Sequence, residues 1–372
     1  MNRRQWMMSS AVALAMRRVS GQTQQPPTQD SPENFRLKDY HPRSIYRVPK
    51  TDIKRAKFPI VDVHCHGARP VGQLDEMVKV MDAVGVEKTV IFTNANSADR
   101  LTEIRQIYSK YPKRFDMWCS FDLTAPNPVK ALEDCHRAGA AGVGEISDKG
   151  FGFRSGRPPR GSSAPPPAPG PHADDPRMDS LWDKCAQLGL PVNIHVSDPI
   201  WSYQPMDLHN DGLMNGYTWR IDDKQPGILG HDGLIESLER AAQKHRKTVF
   251  IACHLANLDY DLTRLGQMFE RNPNLYADIS ARFAETAPIP RFVNQFLQKY
   301  PDRVLYGTDM AYTQRMFSTT FRILESQDEH FYEQDLNFNF DYHWPLYGLA
   351  LPDPVLKNVY RDNALRAFRQ AG

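Results

Sequence analysis

Val61-Asp62-Val63-His64-Cys65-His66 is the stretch on which the reading of this chain turns. It has the build of a short strand, and side chains on a strand alternate in direction. His64 and His66 therefore face one way and Cys65 the other. Two imidazoles on one face at the end of a strand can grip a metal ion. A His-x-His pair also arises by chance in a chain with 12 histidines, so the other strand ends must carry the argument.

Outward from that stretch, short apolar runs alternate with amphipathic segments. Strands are expected at 60–63, 89–92, 117–121, 143–146, 192–195, 249–253, 275–279 and 304–306. Helices are expected at 74–83, 101–110, 129–138, 180–188, 234–244, 289–299 and 320–326, with Gly or Pro at many junctions. Strands this short and this apolar are covered on both faces. Eight such units predict a (β/α)8 TIM barrel. A doubly wound sheet is the rival, but no Gly-x-Gly-x-x-Gly follows the first strand.

Two long loops interrupt the pattern. Residues 150–176, after the fourth strand, hold Pro158, Pro159, Pro165, Pro166, Pro167, Pro169 and Pro171. Residues 201–231, after the fifth, carry Trp201, Tyr203, Tyr217 and Trp219. On a barrel both rise from the C-terminal rim, where active sites are built. The aromatic residues either stack on a substrate or fold the loop against the barrel.

The fifth strand ends Asn193-Ile194-His195, the sixth Ala252-Cys253-His254, and the eighth is followed by Gly307-Thr308-Asp309. Strand ends far apart in sequence converge on one barrel mouth. A histidine cluster with an aspartate repels itself when protonated and loses solvation when neutral, and a divalent ion resolves both problems. Gly142-Val143-Gly144-Glu145-Ile146 adds an acid at the fourth strand end. Glu145 could bind or bridge metal, orient a ligand histidine through its second ring nitrogen, or be unrelated. Arg282, after the seventh strand, could clamp a substrate anion or form a rim ion pair.

These motifs resemble the amidohydrolase superfamily, specifically its aminocarboxymuconate-semialdehyde-decarboxylase-like branch, the amidohydrolase-related or amidohydrolase-2 family. The resemblance spans residues 58–368 and includes the terminal Val359-Tyr360-Arg361-Asp362-Asn363-Ala364-Leu365-Arg366. It implies a single catalytic metal, zinc or sometimes manganese, held by His64, His66, His195 and Asp309, with His254 beside it. Two ions would follow if Glu145 bridges. Asn363 and Arg366 match the family's terminal Asn-x-x-Arg, whose expected role is to tie the last helix to the barrel.

The reaction expected is hydrolysis of an ester, lactone, amide or related bond of a small organic substrate by metal-activated water. Asp309 would take the water proton, and His254 would stabilise the oxyanion or protonate the leaving group. Arg282, Trp201, Tyr203 and Trp219 are the expected substrate contacts. The alternatives are non-oxidative decarboxylation of an aromatic or enol acid, to which Arg282 would be suited, and a metal-binding barrel kept as a non-catalytic binding module.

Composition narrows the partners. The 372 residues carry 46 Lys+Arg against 44 Asp+Glu, which lacks the basic footprint of a nucleic-acid binder. No run approaches the 18 or so apolar residues a membrane span needs. Residues 1–21 contain Arg3-Arg4-Gln5-Trp6, then a short apolar stretch and no acid, which resembles a twin-arginine export signal. A periplasmic or otherwise exported location is expected, cytoplasmic if that segment is not a signal. Residues 22–57 read as an arm or linker and 58–372 as the barrel. The five cysteines are odd in number and widely spaced, and read as buried small hydrophobes. The two rim loops could build a contact between two copies.

Overall fold

A computed structural model describes residues 31–66, 71–123, 125–153, 170–333 and 343–372, with the backbone alone at 71 and 72. The expected export segment and most of the proline-rich loop lie outside the described residues. The chain forms two compact units, Met1–His41 and Pro42–Gly372. The described part of the first holds two exposed 3-10 turns, Pro32–Asn34 and Leu37–Asp39.

The second unit carries β1 (Ile60–His66), β2 (Val86–Phe92), β3 (Phe115–Cys119), β4 (Gly142–Asp148), β5 (Val192–Val196), β6 (Phe250–Ala252), β7 (Leu275–Asp278) and β8 (Val304–Leu305). Neighbours pair in parallel in sequence order. The ring closes where Val63 N–H donates to the Tyr306 carbonyl (3.0 Å) and Asp309 N–H to the His64 carbonyl (2.9 Å). The fold is the expected (β/α)8 barrel with an N-terminal extension. Each expected helix is present, among them Val71–Val84, Pro176–Leu188 and His231–Lys244.

Two apolar clusters divide the work. Val61, Val63, Val90, Phe92, Trp118, Ile251 and Leu305 form an inner one, closed by Ala364 and Ala367 of the last helix, Asn363–Ala371. An outer one lies between strands and helices and takes in Cys65, Ile91 and Leu74. β1 shifts register between Asp62 and Cys65. Such irregularities re-aim side chains beside active sites, and here His64 and His66 turn to the mouth while Val61 and Val63 stay in the inner cluster. Asn363 Nδ2 donates to the carbonyls of Pro301 (3.0 Å) and Val304 (2.9 Å), and Arg366 donates to Asn363 Oδ1 (3.2 Å). The pair anchors the last helix to the edge of β8. All five cysteines are free and buried.

One barrel helix, Leu262–Arg271, was not among those expected. Its signals are local: Asp261 caps it by accepting from Arg264 N–H (3.0 Å), and Leu262, Leu265, Met268 and Phe269 form its buried face. Residues 42–57 pack with the barrel unit. Ala56 N–H donates to the Val84 carbonyl (3.0 Å), and Thr51 Oγ1 donates to Asp328 (2.6 Å).

Candidate metal centre

The C-terminal strand ends bring His64 and His66, Glu145, His195, His254 and Asp309 to one place. Asp62, at the base of this region, accepts from Thr308 N–H (3.0 Å) and Thr308 Oγ1 (2.9 Å), which docks the segment bearing Asp309 onto β1. His64 Nδ1 is held by Asp278 Oδ2 (3.1 Å) and Ser280 Oγ (3.0 Å), so its Nε2 points into the site. His254 Nδ1 donates to the Ser280 carbonyl (2.8 Å), which aims its Nε2 inward too. His66 Nε2 lies 3.2 Å from Glu145 Oε2 and 3.2 Å from Asp309 Oδ1. Asp309 also places Oδ1 3.6 Å from His64 Nε2 and Oδ2 3.6 Å from His254 Nε2. The backbone pays for this aim: His254, Leu255, Ala256 and Asn257 all have φ between 53° and 57°, left-handed values that are strained without glycine.

Electrostatics make the cluster anionic. Burial works against charge on His64, but the Asp278 and Asp309 carboxylates prevail and raise its pKa to about 9. Burial likewise opposes charge on His66, where the bonds to Asp309 and Glu145 raise the pKa to about 10. Burial would push Asp278 up, yet the His64 imidazolium holds it well below the ordinary carboxylate range. Glu145 is likewise held low against burial, by His195 first. His254 goes the other way: burial pushes it down to about 4, so it is neutral at physiological pH.

Neutral His254, its one proton on the Ser280 carbonyl, presents a lone pair to Glu145 Oε1 at 3.5 Å and Asp309 Oδ2 at 3.6 Å. A lone pair facing two carboxylates is repelled unless a cation lies between them. His64 Nε2 is buried with no hydrogen-bond partner among the described residues. Two sets of ligand atoms cluster within 4.8 Å: His64, Glu145, Cys253 and His254, and His64, His66 and Asp309. These residues fit a divalent cation.

A family model described as Amidohydrolase matches residues 61–370. The chain belongs to that amidohydrolase family. No curated protein sequence matches it. Among solved structures, an uncharacterised TIM-barrel protein from Bordetella bronchiseptica is similar at 16% identity and a TM-score of 0.54, over 85% of this chain and 100% of that one. A 4-oxalomesaconate hydratase from Rhodopseudomonas palustris aligns at 13% identity and a TM-score of 0.48, over 84% of this chain and 96% of the hydratase. A barrel of this family with a metal-coordinating cluster at its mouth is a metal-dependent enzyme.

The expected residues are distributed between one cavity and the structure around it. A cavity of about 260 Å³ is lined by His66, Glu145, His195, His254 and Asp309, with Lys149, Asp198, Pro199, Trp219 and Arg282 completing its wall. His195 falls outside both ligand clusters: its Nδ1 lies 2.5 Å from Glu145 Oε1 and its Nε2 faces Asp198 Oδ1 at 3.6 Å. Arg282 is buried in an ion-pair network, with Nη1 on the Ala281 carbonyl (2.9 Å) and Glu285 (3.4 Å), Nη2 on Asn257 Oδ1 (2.5 Å) and Nε 3.6 Å from Asp259. Trp219 does line the cavity, with Lys149 Nζ 4.9 Å above its ring. Trp201 and Tyr203 are not among the lining residues. Trp201 packs on Trp344 (5.6 Å between centroids) and donates to Asp211 (2.6 Å), while Tyr203 pairs with Ser197 (3.0 Å) and sets its ring against His231. Both fold the fifth loop onto the barrel, the other role the sequence allows.

Asp278, Ser280, Asn193, Lys149 and Asp198 escaped the sequence reading. Asp278 carried a usable signal, an acid closing an apolar strand in Tyr276-Ala277-Asp278. Fully buried, it accepts from Asn193 Nδ2 (3.0 Å), His254 N–H (3.0 Å), Ser280 N–H (3.2 Å) and the His64 ring. Asp278→Ala is expected to destabilise the ion-free protein by about 3–5 kcal/mol, the range for removing one partner of a buried charge pair. Urea unfolding reads it, and a loss under about 1 kcal/mol would contradict the network.

Proposed function

We propose that this protein is a hydrolase of small organic substrates, using one divalent cation, with zinc favoured over manganese, and Asp309 as the proton acceptor. The bond class is an ester, lactone, amide or relative. The observation that carries the reading is Asp309. Its Oδ1 lies 3.2 Å from His66 Nε2, among the cation ligands, while Oδ2 faces His254 Nε2 at 3.6 Å. One oxygen thus serves the ion and the other is placed to take a proton from water.

His64 supports a single ion. Its Nδ1 is engaged by Asp278, and His64 is the residue common to both ligand clusters. When bound, the cation polarises a substrate oxygen or an attacking water. Asp309 accepts the proton released. Asp309 can return it to the leaving group, while His254, its Nδ1 on the Ser280 carbonyl, is held with Nε2 toward the ion. Trp219 and Pro199 wall the cavity, and its volume of about 260 Å³ suits a small molecule. Decarboxylation is disfavoured because the Arg282 guanidinium, the expected carboxylate clamp, is turned onto Glu285, Asn257 and the Ala281 carbonyl.

The test is elemental analysis with a paired assay. About one zinc per chain is expected, together with acid release from a panel of esters, lactones and amides. Carbon dioxide release from aromatic or enol acids without any hydrolysis would sink the reading.

A further inference from the structure

We propose that Cys253 is a ligand of the cation, and that its sulfur tunes the centre toward thiophilic ions such as zinc and cobalt(II) over manganese. The inference rests on the metal-dependent reading above and deepens it. Cys253 follows β6 directly and is fully buried. Its Sγ, one nitrogen each of His64 and His254, and a Glu145 oxygen all lie within 4.8 Å of one another. The second observation is independent of sulfur: His64 Nε2, in a side chain with no exposure, hydrogen-bonds to nothing among the described residues.

Neither imidazole can turn away. Asp278 and Ser280 lock the His64 ring, and the Ser280 carbonyl locks His254. The thiol is oriented as well. It donates to Asn193 Oδ1 (2.6 Å), and Asn193 is itself fixed by donating Nδ2 to Asp278 Oδ2 (3.0 Å). The S–H bond therefore points at Asn193, and the sulfur lone pairs are left for the other side. On binding, a sulfur–metal bond forms, the S–H bond breaks and its proton leaves to solvent. One thiolate and the Glu145 carboxylate then balance the two charges of the ion. Oxygen and nitrogen ligands alone accept manganese readily, whereas a thiolate selects softer ions. A cysteine present only for packing would have no such effect.

The test uses the full chain, stripped of metal and reconstituted with cobalt(II). A thiolate-to-cobalt charge-transfer band in the near ultraviolet is expected at one cobalt per chain. Cys253→Ser should abolish the band while retaining bound cobalt, and should weaken zinc binding by about 10- to 100-fold, the scale for losing a group that supports a metal site. Manganese binding should change far less. A variant with Cys65, Cys119, Cys135 and Cys185 all changed to Ser must keep the band, which assigns it to Cys253 even if Cys253→Ser does not fold. Stoichiometric cobalt with visible ligand-field bands but no charge-transfer band would overturn the sulfur assignment and leave the metal-dependent reading standing. Failure to bind either cobalt or zinc would overturn both.

Discussion

Asp309→Asn should cut kcat by about a thousandfold, in the middle of the 10²–10⁴ range for losing a positioned general base, while zinc content stays near that of the parent. The substitution keeps the size of the side chain and its Oδ1 but removes the charge and the capacity to take a proton. Asp309 Oδ2 is the oxygen facing His254, so the loss falls on the proton path. His64, Glu145 and His254 continue to surround the ion, because Asp278 and Ser280 hold the two imidazoles without help from Asp309. Steady-state kinetics beside metal analysis on the same preparation decide the matter. Zinc loss in step with activity would make Asp309 chiefly a ligand and remove it as the base.

Metal loading should expel protons at pH 7 to 8, about two per ion from the imidazoles and a third when Cys253 is a ligand. In the ion-free chain His64 and His66 stay protonated until about pH 9 and 10, because Asp278, Asp309 and Glu145 surround them. Two imidazolium charges equal one divalent cation, so the ion replaces protons the site already holds. By mass action, each pH unit of acidification should then weaken apparent zinc affinity by about 100-fold for the two imidazoles, and by about 1000-fold with the Cys253 thiol among the ligands. The stability sign follows from the same shifts. Both folded pKa values lie above the ordinary 6.5, so this contribution to the ion-free fold is fully present below 6.5 and is lost as pH rises through 9 to 10. Calorimetric titration of zinc in two buffers of different ionisation enthalpy counts the protons. A count of zero would show that the imidazoles are neutral before loading.

The sequence by itself determined the barrel and the roster of its mouth. Strand and helix periods are local properties, and the punctuation between them is local too, so eight strands and seven of the helices between them could be counted without any contact being known. His64, His66, Glu145, His254 and Asp309 were legible because a barrel delivers every strand end to one rim. Only the tertiary structure decided how those side chains are turned. Which nitrogen of His64 faces the ion depends on Asp278 and Ser280, 214 and 216 residues away. Arg282 could be an anion clamp or an ion-pair partner by sequence; in the fold it lines the cavity and also bonds Asn257, 25 residues before it, and Glu285. His195 carries the right ring at the right strand end; Glu145 holds its Nδ1, and its Nε2 is buried without a hydrogen-bond partner among the described residues. Residue type and spacing set what a strand end can offer. The direction in which it is offered is set by hydrogen bonds from other strands, and those exist only once the barrel has closed.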